Sequence, residues 1–238
     1  LEFRRVLFRS KDTFTTDVTN FLNVESFQEE GTTDEITSRV VAEIDFSEDL
    51  MGYFALAKGF KPGGSNLTFG FDDDNAPPMV FPTFEAETVD SVEFGLKSTF
   101  ADGAARANIA VFSYTYENLQ FQATDPDIYR GGVANIPESE MSGLEIEFTG
   151  FLTDSLSLDM NLAFLDSEVT SDYEVLDNVD AYPYFFGEED IRYGLRENVK
   201  GNQLAKTPEF TADITFKHET NLASDRKSTR LNSSHNQI

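Results

Sequence analysis

The sequence predicts an all-β protein, with antiparallel up-and-down strands forming part of a large transmembrane β-barrel and, in this piece, an open curved sheet. Three observations carry that expectation: a dominant period of two, an alternation of short turns with long polar segments, and the lack of any apolar run long enough for a spanning helix. A helix crossing a bilayer needs about 18 or more consecutive apolar residues, and none of the 238 residues begins such a run. Any membrane crossing must therefore be made by strands, whose backbone groups pair with their neighbours.

Period two is read directly. From Ile36 to Phe46 the even positions Ile36, Ser38, Val40, Ala42, Ile44 and Phe46 oppose Thr37, Arg39, Val41, Glu43 and Asp45. Leu144, Ile146 and Phe148 alternate with Glu145, Glu147 and Thr149, and Leu156, Leu158, Met160, Leu162 and Phe164 with Ser157, Asp159, Asn161 and Ala163. Phe210, Ala212, Ile214 and Phe216 repeat the pattern against Thr211, Asp213, Thr215 and Lys217, as do Val92, Phe94 and Leu96 against Glu93, Gly95 and Lys97. Strands are expected near Ile36 to Phe46, Leu50 to Lys58, Val89 to Phe100, Ala105 to Gln122, Gly143 to Phe151, Leu156 to Glu168 and Phe210 to His218. In the second and fourth of these, small and aromatic residues on both sides blur the alternation.

Ser47-Glu48-Asp49, Ala101-Asp102-Gly103-Ala104 and Thr153-Asp154-Ser155 have the composition of tight hairpin turns. Long polar segments lie between the hairpins, at about Gly59 to Thr88, Ala123 to Ser142 and Val169 to Thr207. Short turns on one rim and long loops on the other are the rhythm of an outer-membrane barrel. Compact soluble domains rarely keep several loops beyond about 15 residues, but alternation alone also fits a soluble sandwich such as a carbohydrate-binding β-domain. Under the barrel reading Ile44, Phe94, Ile146, Leu158 and Ile214 share the lipid side, while Glu43, Glu93, Glu145, Asp159 and Asp213 share the lumen.

Composition removes other classes. Lys+Arg 18 against Asp+Glu 43 gives a net charge of -25, so no basic face is expected to bind nucleic acid. With no Cys there is no disulfide, thiolate zinc site or thiol nucleophile. Of the two histidines, His218 is expected to be a polar strand-end residue. No Gly-x-Ser-x-Gly elbow, phosphate-binding loop or His-Glu-x-x-His motif is present. The paired Glu188 and Glu189 fall in a loop, without the fixed separation that acid/base hydrolysis requires. Asp72-Asp73-Asp74-Asn75 has the oxygen chemistry of a calcium ligand set without its spacing. The expectation is a protein that is not an enzyme, with no catalytic, cofactor-binding or metal residue and no cofactor.

The two ends read differently. Leu1 to Ser10 can be encoded by CTG GAG TTC AGA CGT GTG CTC TTC CGA TCT, whose reverse complement, read one base in, encodes Asp225-Arg-Lys-Ser-Thr-Arg-Leu-Asn-Ser233. Residues 1–10 and 225–238 are thus expected to be translated sequencing-adapter sequence flanking residues 11–224, a partial outer-membrane barrel whose natural start and end are missing. Six basic and two acidic residues fall in these ends, leaving 12 basic (18 less 6) against 41 acidic (43 less 2) and a net charge of -29. Such ends are expected to stay off the sheet.

Five motifs, in order, then resemble one family. Tyr53-Phe-Ala-Leu-Ala-Lys-Gly-Phe-Lys-Pro-Gly-Gly64, Glu87-Thr-Val-Asp-Ser-Val-Glu-Phe-Gly-Leu-Lys-Ser98 and Ala107-Asn-Ile-Ala-Val-Phe-Ser-Tyr-Thr-Tyr-Glu-Asn-Leu-Gln120 are similar to successive strands of TonB-dependent outer-membrane receptors, as are Ser142-Gly-Leu-Glu-Ile-Glu147 and Gly201-Asn-Gln-Leu-Ala-Lys-Thr-Pro208. Ala86 stands where the family usually has Pro. The resemblance spans about Ile36 to His218. It implies roughly a third of a barrel of about 22 strands closed by a plug, in the outer membrane of a Gram-negative bacterium. It further implies energy-coupled import of a scarce bulky nutrient of the iron–siderophore, cobalamin or oligosaccharide class. The implied partners are outer-membrane lipid, a small-molecule or glycan ligand, and the inner-membrane TonB complex, the last through a segment absent here. A passive porin-like channel is the alternative within the membrane. Structurally, Gly59, Gly63 and Gly64 are expected to let the chain leave the sheet with positive φ, Pro62 to stop ladder pairing, and Gly143 and Gly150 to mark bulges or close packing.

Overall fold

The computed structural model describes residues 2–18, 27–66, 83–124, 131–176, 196–220 and 229–235. Among them nine strands form one antiparallel sheet: β1 (Glu2–Val18), β2 (Phe27–Ser47), β3 (Leu50–Lys61), β6 (Glu87–Phe100), β7 (Ala105–Thr124), β8 (Gly131–Thr153), β9 (Leu156–Val169), β12 (Phe210–Thr220) and β13 (Thr229–His235). Each pairs with the next in that order, the up-and-down pattern expected of strands joined through turns. Two small ribbons stand apart: β4 (Gly64–Ser65) with β5 (Thr83–Phe84), and β10 (Glu174–Leu176) with β11 (Arg196–Asn198).

All seven expected strands are present, and several run further than alternation revealed. β8 starts at Gly131 and pairs with β7 as far as Thr124, so the stretch expected as a loop from Ala123 to Ser142 is mostly a hairpin arm. Its polar composition hid it, because a strand standing beyond the membrane has no apolar side. Asn118, at φ 55, interrupts that arm: the register passes from Glu117↔Glu138 to Leu119↔Ile136. The skipped pair sets Asn118 opposite Pro137, which has no N–H to donate.

The tight turns form where expected. Ala101, Asp102 and Gly103 take positive φ, and the Ala104 amide closes the turn on Ala101 O at 3.0 Å. Ser47 and Thr153 hydroxyls accept the Asp49 and Ser155 amides at 3.2 and 3.3 Å, the local bonding that suits these residues to turns. Register shifts between Asp45 and Ser47 and between Phe151 and Thr153 mark bulges beside two of the turns. The glycine expectation is corrected. Among the described glycines positive φ occurs at Gly103 and Gly201, whereas Gly63 and Gly64 are needed for close approach. A Cβ would lie 2.5 Å from Phe84 O at Gly63 and 2.7 Å from the Phe84 ring at Gly64.

The expectation that the ends stay off the sheet is also corrected. β1 pairs with β2 from Glu2↔Glu43 to Val18↔Phe27, and β13 pairs with β12. An open edge presents unpaired backbone groups that accept any extended chain, so this pairing says little about side chains. Opposite partners share a face. Arg5 and Arg9 therefore lie on the apolar side opposite Val40 and Ile36, while Val6 and Phe8 lie on the polar side opposite Arg39 and Thr37. β1 is joined to the sheet without being sorted by it.

Candidate functional site: the two faces and the outer rim

Register carries each residue across the sheet to the same face. One row runs Ala42, Phe54, Phe94, Val111, Leu144, Phe164 and Phe210; the next runs Ile44, Gly52, Leu96, Ile109, Ile146, Leu162 and Ala212. Phe54 and Phe94 meet at 4.6 Å between ring centroids, Phe164 and Phe210 at 5.0 Å, and, nearer the short turns, Phe100 and Phe148 at 6.2 Å. Two tiers of phenylalanine thus bound an aliphatic middle, as aromatic girdles bound the apolar band of a barrel. The eight steps from Val92 to Phe100 cover about 26 Å along the strand at ~3.3 Å per residue. A strand tilt of about 40° reduces this to ~20 Å along the membrane normal, close to the ~25 Å band of such barrels. Phe94 is 55% exposed and Ile44 44%. In a single layer these side chains have no protein partner above them. Beyond the upper tier comes a mixed row, Val40, Leu56 and Val92 and then Ser113, Ser142 and Asp166, and past it the same face is polar through Lys58, Asp90, Thr115, Glu140 and Glu168.

Glu43, Glu93, Glu145, Asp159 and Asp213 share the opposite face, as the sequence led us to expect. The Tyr53 hydroxyl donates to Glu93 Oε1 at 2.5 Å, and Lys97 Nζ stands 5.3 Å from the centre of the Tyr53 ring. Asn108 Nδ2 donates to Glu147 at 2.9 Å, and Lys217 pairs with Asp159. Glycines make room for the rings: the Tyr53 ring lies over Gly95 and the Phe112 ring over Gly143. Tyr53, Tyr114 and Tyr116 are on the polar side, where a hydroxyl finds water or a partner, together with the buried Phe112, and the outward rows carry Phe without Tyr.

Above the sheet, carboxamides knit the long segments to the β7–β8 arm. Gln120 Nε2 donates to Pro62 O at 2.8 Å and Glu85 O at 2.9 Å, clasping both sides of the excursion after Pro62. Asn135 Nδ2 donates to Asn118 O at 2.8 Å and its Oδ1 accepts the Glu85 amide at 2.8 Å. Asn66 takes both polar groups of Val133, donating to its O and accepting from its N, each at 2.7 Å. Across the sheet, Gly201 to Pro208 docks on β9. The Ser167 and Thr207 hydroxyls meet at 2.7 Å, and the Gly201 amide donates to Val169 O at 2.8 Å.

The residues singled out from sequence are spread, not gathered. His218 sits near the end of β12, opposite Leu156. Asp72 to Asn75 and Glu188 and Glu189 lie outside the described residues, as do residues 177–195 of the long polar segment from Val169 to Thr207. Of that segment, Asp172 bonds to Asn198 and Lys200 at 2.9 and 3.1 Å, Glu174 pairs with Arg196, and Tyr173 packs edge-on against Phe121. Among the described residues no three His, Asp or Glu side chains converge as a metal site would require. Sequence reasoning missed Tyr53, Phe112, Tyr114 and Tyr116 as a group and the carboxamides Asn66, Gln120 and Asn135. Phe-x-Tyr-x-Tyr was legible as an aromatic face of one strand.

Residues 8–231 match the family model described as TonB dependent receptor-like, beta-barrel. The chain belongs to this family. Its members are transport proteins of the Gram-negative outer membrane rather than enzymes, which sets the soluble-module alternative aside. A probable TonB-dependent siderophore receptor, PiuA of Acinetobacter baumannii, is 31% identical over 120 residues, 50% of this chain and 15% of that protein. The sheet superposes on the ferric yersiniabactin uptake receptor FyuA of Yersinia pestis with a TM-score of 0.66 at 18% identity, covering 93% of this chain and 29% of FyuA. For the solved PiuA structure the TM-score is 0.64 at 21% identity, covering 91% of this chain and 28% of the other. The chain thus spans less than a third of these relatives, and as a stretch of receptor wall it sets Phe-bounded rows toward lipid and carboxylates and tyrosines toward the lumen.

Proposed function

We propose that this chain is part of the barrel wall of a receptor that imports a scarce, bulky nutrient across the outer membrane, using energy supplied by the inner-membrane TonB complex. The observation that carries this is the family match over residues 8–231, with a sheet whose two faces suit lipid and lumen. Iron–siderophore complexes lead the ligand classes, since the 31% identical relative is described as a siderophore receptor; cobalamin and oligosaccharides are the others. The TonB complex engages through a segment outside this sequence. Residues 1–10 and 225–238 belong to translated adapter sequence in this reading, supported by their inverted coding match and by the unsorted faces of β1.

The test is to recover the full open reading frame from the source DNA and express it in a receptor-deficient Gram-negative host. Growth on a panel of ferric siderophores should be restored in the presence of TonB and lost when TonB is deleted. Uptake that persists without TonB would return the porin-like reading. An open reading frame in which residues 1–10 and 225–238 continue as native strands would end the adapter reading.

A further inference from the structure

On the polar face of β7, Phe112, Tyr114 and Tyr116 form a continuous rib toward the outer rim. Phe112 and Tyr114 stack at 4.9 Å with 21° between planes, and Tyr114 meets Tyr116 edge-on at 6.5 Å. Their cross-strand neighbours are mostly small. Phe112 lies between Glu93 and Gly143, Tyr114 between Ser91 and Met141, and Tyr116 between Val89 and Ser139. Phe112 is buried at 9% exposure, seated over Gly143 with Tyr114 stacked on it, while Tyr114 and Tyr116 are half-buried and present their remaining ring surface to the lumen.

Carboxylates adjoin this rib more closely than cations do. Glu93 adjoins its inner end and Glu145 the next position inward, opposite Ala110. Of the cations of this face, Lys97 lies over Tyr53, Lys217 on Asp159 and Arg106 near the short turns, while Arg39 shares the row of Tyr114 three strands away and Lys61 pairs in register with Glu87 at the rim. Among the described residues none stands over Tyr114 or Tyr116. The wall already shows what its chemistry accepts. At Tyr53 an ammonium sits over a ring whose hydroxyl holds a carboxylate, which joins cation–π attraction to charge. Tyr114 and Tyr116 repeat the ring on the rimward side, with no cation over them among the described residues.

We propose that the Phe112–Tyr114–Tyr116 rib is a stacking track for an organic cation, so that the ligand received by this wall presents a flat, positively charged group and an anionic ligand is disfavoured. This rests on the import reading for a ligand that enters the lumen, and narrows its class. Carboxylates flanking aromatic faces raise the local concentration of cations and repel anions.

The test measures equilibrium binding of three isosteric probes, benzamidine, benzamide and benzoate, and of maltotriose, to the purified full-length receptor in detergent at low and high salt. Benzamidine should bind best and weaken with salt. Replacing both tyrosines by Leu, Tyr114→Leu with Tyr116→Leu, should weaken it by about 10-fold or more, while the two Phe replacements stay within about 2-fold. Benzoate binding as tight as benzamidine, benzamidine binding indifferent to the Leu changes, or maltotriose alone depending on the rings would each overturn the proposal. If the Leu variant does not assemble, the probe series on the unaltered receptor and the Phe variants decides. Binding needs no energy coupling, so a receptor that binds benzamidine but imports without TonB keeps the track and loses the import reading.

Discussion

Tyr53 lies so closely across Gly95 that a Cβ on Gly95 would collide with the Tyr53 ring. The ring can swing aside, since only the far end of a side chain is struck, but its hydroxyl would then leave Glu93. Gly143 is less forgiving, because there a Cβ would meet Phe112 at 2.6 Å and also the backbone oxygen of Phe164 at 2.8 Å. Gly143→Ala should therefore cost more than Gly95→Ala, about 1–3 kcal/mol as for other overpacked sites, against about 1 kcal/mol for a lost hydrogen bond. Urea unfolding of the full-length receptor in micelles would measure both, and equal costs would contradict the close-approach account.

The lipid face predicts a depth profile. Ile109 lies in the aliphatic middle and Thr115 in the polar row beyond the upper tier. Ile109→Arg should destabilise by about 2–4 kcal/mol and Thr115→Arg by about 0–1 kcal/mol, following the depth dependence of lipid-facing charges. Refolding into bilayers gives the comparison, and a cost at Thr115 matching that at Ile109 would misplace the membrane.

Asn66 substitutes for a strand partner at Val133, meeting its N and its O at 2.7 Å each. Asn66→Ala leaves both groups to find water, and Asn66→Asp faces a carboxylate toward a carbonyl. Either should cost about 1–3 kcal/mol locally. Faster amide exchange at Val133, with exchange in β9 unchanged, is the expected result.

Acid should loosen one contact of the outer rim. The hydrogen bond from Asn198, then the hydrogen bond and charge of Lys200, hold the Asp172 carboxyl below its ordinary 3.8. A depressed value means the stabilisation is present above the unfolded value and is lost as pH falls through the lower, folded one. Amide exchange around Asp172 and Asn198, corrected for its intrinsic pH dependence, should rise below about pH 4. Asp172→Asn should abolish that rise.

The strands inside the membrane were legible because each had to serve two solvents. Alternation of the kind seen from Leu144 to Phe148 is absent where only one solvent exists, and that is why the outer half of β8, from Gly131 to Ser142, read as loop. The turn residues Ala101 to Ala104 were legible from composition. The carboxamide contacts of Asn66, Gln120 and Asn135 were not, since they join residues up to 67 positions apart and an isolated Asn or Gln carries no periodic signal. The Tyr114 rib was half visible: its spacing put three rings on one side, but Ile109 and Val111 on the other side concealed which side was polar.

The short distance between the phenylalanine tiers also makes the wall a gauge of bilayer thickness. Outer membranes are thinner than average, and mismatch costs fractions of a kcal/mol per Å. In a sheet of this height a thicker bilayer would drag Lys58, Asp90 and Glu140 into hydrocarbon along the whole arc of strands at once. The wall is thereby matched to a thin bilayer by the height of its apolar band and not by the length of its strands, several of which run on past it.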